Sequence, residues 1–298
     1  MLTGKSLPFN LFKATKKNFG ANEKVLKARI KSVSSIAKIT KAMKMVSSSK
    51  MRADLIRLEG GKDFGHESIE KIIKSDNYIQ KKIQGSANSK KLYVPFTSDK
   101  GLCGGINSTI IREIRSIIKQ NGLENSGLYI VGDKGITGLS RQFSDITKRG
   151  VHELNIPMNY ATASSISHDI IVHSEGFDKI VLVYNVYKSA ITSILTKTEL
   201  LTREKFLDYM SFGKAYFLKN PDKQTVNPAL YDLYISSNFY YAILNSLAAE
   251  QSARMGAMEN ASKNAKEIVE KLKLQYNKAR QARITMELVE IISGASAV

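Results

Sequence analysis

Several features that mark common protein classes are absent from this sequence. Cys103 is the only cysteine, so no disulfide can form within the chain. No apolar run reaches the roughly 18 residues that a membrane-spanning helix needs. The richest apolar run, at residues 180–184, is long enough only for a strand. The sequence therefore predicts neither a disulfide scaffold nor a membrane-spanning helix. A hydrophobic content of 43% supports a packed core instead.

Motifs for nucleotide binding, metal binding and catalysis are missing as well. The glycine cluster at 101–105 lacks the lysine of a phosphate-binding loop, and the cluster at 132–135 lacks the third glycine of a dinucleotide fingerprint. The four histidines form no H-E-x-x-H pattern. We expect the glycines to serve tight turns with positive φ, and Cys103 to be a small buried side chain rather than a nucleophile. The sequence thus predicts no catalytic residue, no cofactor and no metal site.

Acidic residues are scarce near the N-terminus. The formal net charge of the whole chain is +18. Residues 1–58 contain fourteen lysines and arginines but only two acids, Glu23 and Asp54. This imbalance implies an acidic partner, which could be nucleic acid, anionic lipid or acidic protein surfaces. Lysines 31, 38, 41 and 44 lie among apolar positions, so acidic surroundings on several sides explain them better than one solvated face.

The first 22 residues resemble an amphipathic import segment. They contain four lysines and no acid, and Leu7, Phe9, Leu11, Phe12 and Phe19 are interleaved with the lysines. They contain no arginine, which is untypical of such segments. Two interpretations stay open: a segment for organelle import, cleaved or retained, or a basic tail that lies on a partner.

Both ends of the chain show long helical periodicity. Residues 228–298 contain no proline after Pro228 and only two glycines, and small or apolar residues recur every three or four positions. A helix of that length would extend for about 100 Å, so it needs a partner along its length. The expected stripe on it is Leu244, Leu247, Gln251, Met255, Met258, Ala261, Ala265, Ile268, Leu272, Gln275, Ala279, Arg283 and Met286.

A thinner stripe opens the chain. It comprises Leu26, Ile30, Val33, Ile36 or Ala37, Ile39 or Thr40, Met43, Val46 or Ser47, Met51 and Leu55. Glycines near residue 60 weaken this helix, and a further helical turn is expected at 67–73. Because each terminal helix has one narrow apolar stripe, we expect the two to pair as a long antiparallel coiled coil.

The middle of the chain has a different pattern. A linker at 85–91 is followed by alternating short apolar runs and amphipathic segments, which predicts a small α/β domain with a mainly parallel sheet. The expected strands are 92–96, 128–131, 179–187 and 191–201, and the expected helices are 108–119 and 163–174.

Three blocks of sequence resemble the γ subunit of F-type ATP synthases. The first is KARIKSV at 27–33 with KITKAMKMV at 38–46 and SKMR at 49–52, and the second is SDKGLCGGIN at 98–107. The third is EQSARMGAM at 250–258 with YNKARQARITMEL at 276–288 and IISGA at 291–295. The blocks occur in the family's order and cover the chain from about residue 24 to its end.

This resemblance implies a rotary shaft with a Rossmann-like central domain at its foot. The implied divisions are an N-terminal extension at 1–22, a shaft helix with a following helical segment at 23–84, a foot at 85–225 and a second shaft helix at 226–298. The chain would be a non-catalytic rotor subunit that couples proton-driven rotation of the c-ring to conformational changes at the catalytic β subunits. Its implied partners are the α and β subunits, the c-ring and the small central-stalk subunits δ and ε, with no nucleic acid and with the membrane reached only through the c-ring.

The resemblance also implies which residues contact partners. Met43 occupies the family's coupling position, and the surrounding lysines would face acidic loops of the β subunits. The full set of implied contact residues is Lys38, Lys41, Met43, Lys44, Arg254, Arg280, Gln281, Thr285 and Glu287. Two departures are a serine run at 47–49, where the family usually has small apolar residues, and the lack of the regulatory cysteine pair that the chloroplast branch carries. Three features favour a mitochondrial member on the matrix side of the inner membrane: the lack of that cysteine pair, the N-terminal extension and the basic character of the chain. The core sequence also suits a bacterial member.

Two other functions remain as alternatives. A basic helix could enter a nucleic-acid groove, but no aromatic residue lies between Phe19 and Phe64, so base stacking would be poor. The α/β domain could belong to a dinucleotide enzyme, which tight binding of a dinucleotide by the middle of the chain would reveal.

Overall fold

The computed structural model describes residues 9–62, 89–154, 157–212 and 223–296, with side chains described at 23–62, 89–154, 157–208 and 228–296. The helical turn expected at 67–73 and most of the linker expected at 85–91 lie outside the described residues. So does the start of the extension expected at 1–22. The chain divides into two compact units, one formed by Met1–Lys44 with Met258–Val298 and the other by Met45–Ala257.

A five-stranded mixed sheet forms the centre of the second unit. Its strands are β1 (Lys91–Pro95), β2 (Ser126–Val131), β3 (Thr147–Val151), β4 (Lys179–Tyr187) and β5 (Ser193–Leu201). The order across the sheet is β3-β2-β1-β4-β5, and every neighbouring pair is parallel except β4 with β5. The central strands read as continuous apolar runs because both of their faces are covered.

Helices follow most strands and cover both faces of the sheet. They are α2 (Ile106–Asn121), α3 (Asp133–Leu139), α4 (Tyr160–His173) and α5 (Arg203–Phe212), with a short 3₁₀ helix at Ser144–Ile146. Side chains alternate along β1, so Leu92 and Val94 enter one core and Tyr93 enters the other. The isoleucines of α2 fill the second core, as their helical spacing predicts.

The terminal helices are α1 (Phe9–Gly61) and α6 (Lys223–Ala295). α6 begins before Pro228, which lies inside it close to its start. Long helices at both termini and a central mixed sheet therefore match the expected architecture. Within the described residues, no helix combines the length and the hydropathy required to cross a bilayer.

The strands and helices predicted from apolar runs are confirmed, with ends that differ by a few residues. Three elements were not predicted, namely α3, β3 and α5. β3 has the sequence TKRGV and is mostly exposed, because it is an edge strand that pairs only with β2. A charged edge strand lacks the hydrophobic signal on which the prediction relied.

Candidate functional site

In the unit formed by the two ends of the chain, one narrow face of α1 is buried. The buried or half-buried positions alternate at spacings of three and four residues, which is the heptad pattern. They are Glu23, Leu26, Ile30, Val33, Ala37, Thr40 and Lys44, with Ser34 and Met43 half-buried beside them.

The same pattern occurs on the part of α6 that belongs to this unit. Its buried or half-buried positions also alternate at spacings of four and three. They are Met258, Ser262, Ala265, Val269, Leu272, Tyr276, Ala279, Arg283 and Met286, with Ala261, Ala282 and Glu287 half-buried beside them. A heptad on each of two helices means that each helix keeps one face toward a neighbour over many turns.

Among the described side chains, three polar contacts join α1 to α6 within this unit. Lys44 Nζ lies 2.7 Å from Glu259 Oε1, and Ser262 Oγ donates to the Ala37 carbonyl oxygen at 3.4 Å. Arg283 Nε lies 3.1 Å from Glu23 Oε2, as an ion pair without directed hydrogen-bond geometry. From the first of these contacts to the last, the residue number falls from 44 to 23 on α1 and rises from 259 to 283 on α6. The two segments therefore run in opposite directions.

Small residues, rather than the largest apolar ones, occupy much of the buried face. Where the sequence left a choice, Ala37 is less exposed than Ile36, and Thr40 is less exposed than Ile39. On α6 the expected Ile268 and Gln275 are exposed, and their neighbours Val269 and Tyr276 are half-buried instead. The buried face is therefore offset by one residue from the expected stripe in these turns.

Large apolar side chains consequently remain on the outer surfaces of both helices. Ile39 is 58% exposed on α1, and Ile291 is 68% exposed near the end of α6. The other exposed ones are Val25, Ile36, Met45, Val46 and Ile56 on α1, and Leu233, Ile268, Leu274, Ile284, Leu288, Val289 and Ile292 on α6. Exposed apolar surface of this extent is typical of protein contact sites.

The contact residues implied by the sequence lie in three settings. Met43 and Glu287 are half-buried, and Lys44 is already paired with Glu259 of the same chain. The exposed residues of the set are Lys38, Lys41, Arg280, Gln281 and Thr285. These five are available to a partner in the described structure, and whether a partner uses them stays a prediction.

Arg254 differs from the rest because its guanidinium is used inside the second unit. The residue is only 8% exposed. Its Nη2 lies 2.6 Å from Glu250 Oε1 and donates to the carbonyl oxygens of Lys100 and Gly101 at 3.2 and 3.3 Å. Arg254 therefore ties α6 to the loop that precedes α2. Glu250 was not predicted as its partner, although the spacing of four residues on one helix could have indicated the pair.

Burial raises the pKa of Glu250, while the positive charge of Arg254 opposes that rise. The carboxylates of Asp99 and Asp54 raise the pKa further. Arg254 thus supplies the compensating charge of the buried Glu250, and its loss would leave that carboxyl without one.

The loop held by Arg254 is internally ordered. Asn107 Nδ2 donates to Ser98 Oγ at 2.7 Å and to Cys103 Sγ at 3.2 Å. Cys103 is buried, as expected for a small side chain in a turn. Gly104 has a φ of +64°, which suits glycine because it lacks a Cβ.

A second glycine is fixed by a close approach of two backbone segments. Gly132 has a φ of +98°, and a Cβ there would lie 2.0 Å from the Thr97 carbonyl oxygen. The expectation that glycines serve strand-to-helix turns is confirmed at Gly104 and Gly132. Gly101, Gly105 and Gly135 do not have positive φ.

Comparison with known proteins gives one family. A family model described as ATP synthase matches residues 22–298. The ATP synthase gamma chain of Rickettsia felis is 36% identical, over 93% of this chain and 100% of the relative. The mitochondrial ATP synthase subunit gamma of Ipomoea batatas is 37% identical, over 92% of this chain and 84% of the relative.

Solved structures give the same result. A chain from the Tetrahymena thermophila mitochondrial ATP synthase, described as central stalk and c-ring, is 42% identical with a TM-score of 0.69, over 75% of this chain and 99% of that one. A chain from the Euglena gracilis mitochondrial ATP synthase has a TM-score of 0.79 over 93% of this chain and 95% of that one. At 22% identity, the second match is evidence of fold alone.

Proposed function

Because this chain belongs to the family of ATP synthase γ chains, we propose that it is the central-stalk rotor of an F-type ATP synthase. Rotation of a proton-driven c-ring turns the chain, and the turning chain changes the conformations of the catalytic β subunits so that ATP is made. ATP hydrolysis drives the same motion in reverse. The chain is a non-catalytic subunit of that complex.

The matching heptads on α1 and α6 are the observation that carries this proposal. Two faces with the same period, joined by contacts that run in opposite directions, support an antiparallel two-helix coiled coil. A rotor must transmit torque without winding up, and two helices packed side by side resist torsion better than one.

The exposed residues on the outer surfaces of these helices provide for contact with the head. A shaft changes ligand affinity at a β subunit only if its contacts differ between rotational positions. Lys38 and Lys41 are suited to long-range attraction by acidic loops, which weakens gradually as the shaft turns. The apolar end of α6 is suited to an apolar sleeve, where rotation breaks no directional bonds.

Polar residues near the end of α6 are proposed to hold the shaft at its resting angles. Arg280, Gln281 and Thr285 are exposed and can make charge-assisted or neutral hydrogen bonds to the head. Glu287 Oε1 lies 3.9 Å from Arg283 Nε. Glu287 is proposed to contribute a negative charge to the same contact with the head. Met43 is proposed to transmit coupling from its half-buried position. Lys44 and Arg254 act mainly through the contacts they make within the chain.

We retain the proposed division into an extension at 1–22, a shaft helix with a following segment at 23–84, a foot at 85–225 and a shaft helix at 226–298. The proposed partners are the α and β subunits, the c-ring, and the small δ and ε subunits of the central stalk. The mitochondrial relatives and the basic extension support a place on the matrix side of the mitochondrial inner membrane.

Tethering the chain to the head tests this function. In a Cys103→Ser background, a benzophenone maleimide on Ile39→Cys should photo-cross-link to an α or β subunit of the assembled complex. Steady-state ATP hydrolysis should then fall in proportion to the cross-linking yield. The same reagent on Ile191→Cys, where the native side chain is 96% exposed in the sheet unit, serves as the control. Full hydrolysis after complete tethering at position 39 would refute a rotor role.

A further inference from the structure

A polar cavity between α4 and α6 in the sheet unit has no part in the proposed rotor function. Its volume is about 410 Å³, which is within the range of small-ligand sites. Six of its seven lining residues carry a hydroxyl or an ionisable group. The lining residues are Ser164, Ser165, Ser167, His168 and Ile171 of α4, with Asp232 and Ser236 of α6.

The hydroxyl hydrogens of the four serines are already committed. Ser167 Oγ donates its one hydrogen to the Ser164 carbonyl oxygen at 2.8 Å. In the second contact, where Ser167 Oγ lies 2.8 Å from Ser236 Oγ, the donor is therefore Ser236. Ser164 must then donate across its 3.4 Å contact with Ser236. Ser165 Oγ donates to the Ala161 carbonyl oxygen at 3.1 Å. Since each hydroxyl has one hydrogen, the serines offer only lone pairs to the cavity.

Asp232 adds a negative charge to this lining. Its Oδ1 is buried and has no hydrogen-bond partner among the described residues, which leaves this carboxylate under-solvated. Because Asp232 as a whole is only half-buried and lines the cavity, a cation in the cavity can compensate its charge. His168 is exposed and, when neutral, contributes one acceptor nitrogen and one N–H group. The cavity is therefore rich in acceptors and anionic.

This chemistry selects against most ligands. Phosphates and carboxylates would be repelled by Asp232 and would find few donors. A divalent metal ion requires several carboxylates or imidazoles, and no group of three or more His, Cys, Asp or Glu side chains in the described ranges is arranged to hold one. A cation with several N–H donors and no acceptors complements the lining.

We infer that the cavity between α4 and α6 binds an alkylammonium or guanidinium group, with Asp232 as its counter-ion and the serine hydroxyls as acceptors. The group has two chemical sources, a free amine or the lysine or arginine side chain of a neighbouring protein. None of the lining residues belongs to the set of coupling residues proposed above.

Titration of the full chain with n-butylammonium tests the inference, with the His168 ring resonance as the reporter. The resonance should shift saturably with n-butylammonium but not with tetramethylammonium at the same ionic strength, because the latter has no N–H group. Asp232→Asn should weaken binding by about tenfold or more, as expected for loss of a charged hydrogen-bond partner. Asp145→Asn removes the same charge from an exposed site outside the cavity, and it should leave binding unchanged.

A second variant keeps the test decisive if Asp232→Asn fails to fold. Ser165→Lys places an ammonium group on an exposed lining position, where it can pair with Asp232. This variant should raise the melting temperature and abolish binding of added n-butylammonium. Absence of a saturable shift in the native chain, or equal affinity for both ammonium ions, would overturn the inference.

Carbodiimide coupling in the assembled complex identifies the source. If the ligand is a free amine, a fluorescent primary amine should couple to Asp232 both in the isolated chain and in the complex. If a neighbouring side chain fills the cavity, Asp232 should be protected in the complex or joined to a lysine of another subunit. Coupling at Asp145 provides the internal reference. Asp232 that couples no faster than Asp145 in the isolated chain would contradict the inference.

Discussion

Met43 is the residue whose role depends most on its surroundings. It is half-buried beside the heptad face of α1, with Lys44 next to it in an ion pair. Side-chain packing alone would explain a methionine at this position. The coupling role comes from membership of the γ family and from the exposed lysines nearby.

Met43→Lys is predicted to disturb coupling more than assembly. An added ammonium group would be drawn to the acidic loops proposed to surround α1 and would hold the shaft at one angle. ATP-driven proton pumping should fall relative to ATP hydrolysis, while the yield of assembled complex should change little. Met43→Leu keeps the volume without the charge and should behave as the native chain. A normal ratio of pumping to hydrolysis in Met43→Lys would remove Met43 from the coupling set.

Glu199 carries a pH-dependent share of stability in the sheet unit. Burial raises its pKa, but hydrogen bonds from Lys91 Nζ at 2.9 Å and Lys179 Nζ at 3.0 Å outweigh that effect and hold the pKa below the ordinary value of 4.5. Because the pKa is lowered by folding, this stabilisation is fully present above pH 4.5 and is lost as the pH falls through the lowered pKa.

Glu199→Gln should therefore lower the free energy of unfolding by about 2 kcal/mol at pH 7, partly because Lys179 is buried. The difference from the native chain should shrink as the pH falls below 4.5, and it should vanish as the pH falls through the lowered pKa, where Glu199 in the folded chain becomes protonated. Thermal unfolding measured over a range of pH values gives the comparison. Glu175→Gln, at an exposed position, is the control. A difference that stays constant with pH would show that the charge of Glu199 is not responsible.

Arg254 is predicted to stabilise the loop before α2 in addition to any contact with the head. Arg254→Ala leaves Glu250 buried without a counter-charge, which should cost about 3 kcal/mol. Amide hydrogen exchange at residues 99–103 should accelerate. Arg254→Lys should recover the charge but only part of the protection, since one ammonium group cannot reproduce the geometry of the guanidinium. Unchanged exchange in Arg254→Ala would mean that the loop is held by Asn107 alone.

At the scale of elements, the terminal helices show what periodicity can and cannot predict. Apolar spacing predicted both helices, but it left the choice between Ile36 and Ala37 open, and it selected Ile268 where Val269 is the half-buried residue. On α1 the larger apolar residue is the wrong choice in two of the open cases, because Ala37 and Thr40 lie on the buried face while Ile36 and Ile39 remain outside. That inversion is itself a sign that the outer face contacts another protein.

The central domain shows the complementary limit. Apolar runs identified β1, β2 and β4 because strands covered on both faces are almost entirely hydrophobic. The edge strand β3 was missed because its exposed lysine and arginine hide the pattern. The bond between Arg254 and the loop joins residues more than a hundred positions apart, so no local pattern could reveal it.

Paired substitutions on α6 test the observed heptad directly. Val269→Asp places a carboxylate on the half-buried face and should lower the free energy of unfolding by about 2 kcal/mol. Ile268→Asp, one residue away on an exposed face, should change it by less than about 0.5 kcal/mol. Chemical denaturation of the full chain measures both. Equal effects would show that the buried face is not where the structure places it.

At the scale of the whole molecule, the charge is unevenly distributed along the chain. Residues 1–58 have fourteen basic and two acidic residues, whereas residues 228–298 have eight basic and seven acidic residues. The excess of positive charge at one end fits a chain surrounded by acidic protein loops, since uncompensated charge of this size favours association with an acidic partner.

The most direct measurement is the rotation of single molecules. The head of the complex is fixed to a surface, and a bead is attached through Ile191→Cys in the Cys103→Ser background. The account predicts that the bead turns in one direction when ATP is supplied and stops when ATP is removed. A bead that remains still while the same molecules hydrolyse ATP at the normal rate would contradict the claim that this chain is a rotor.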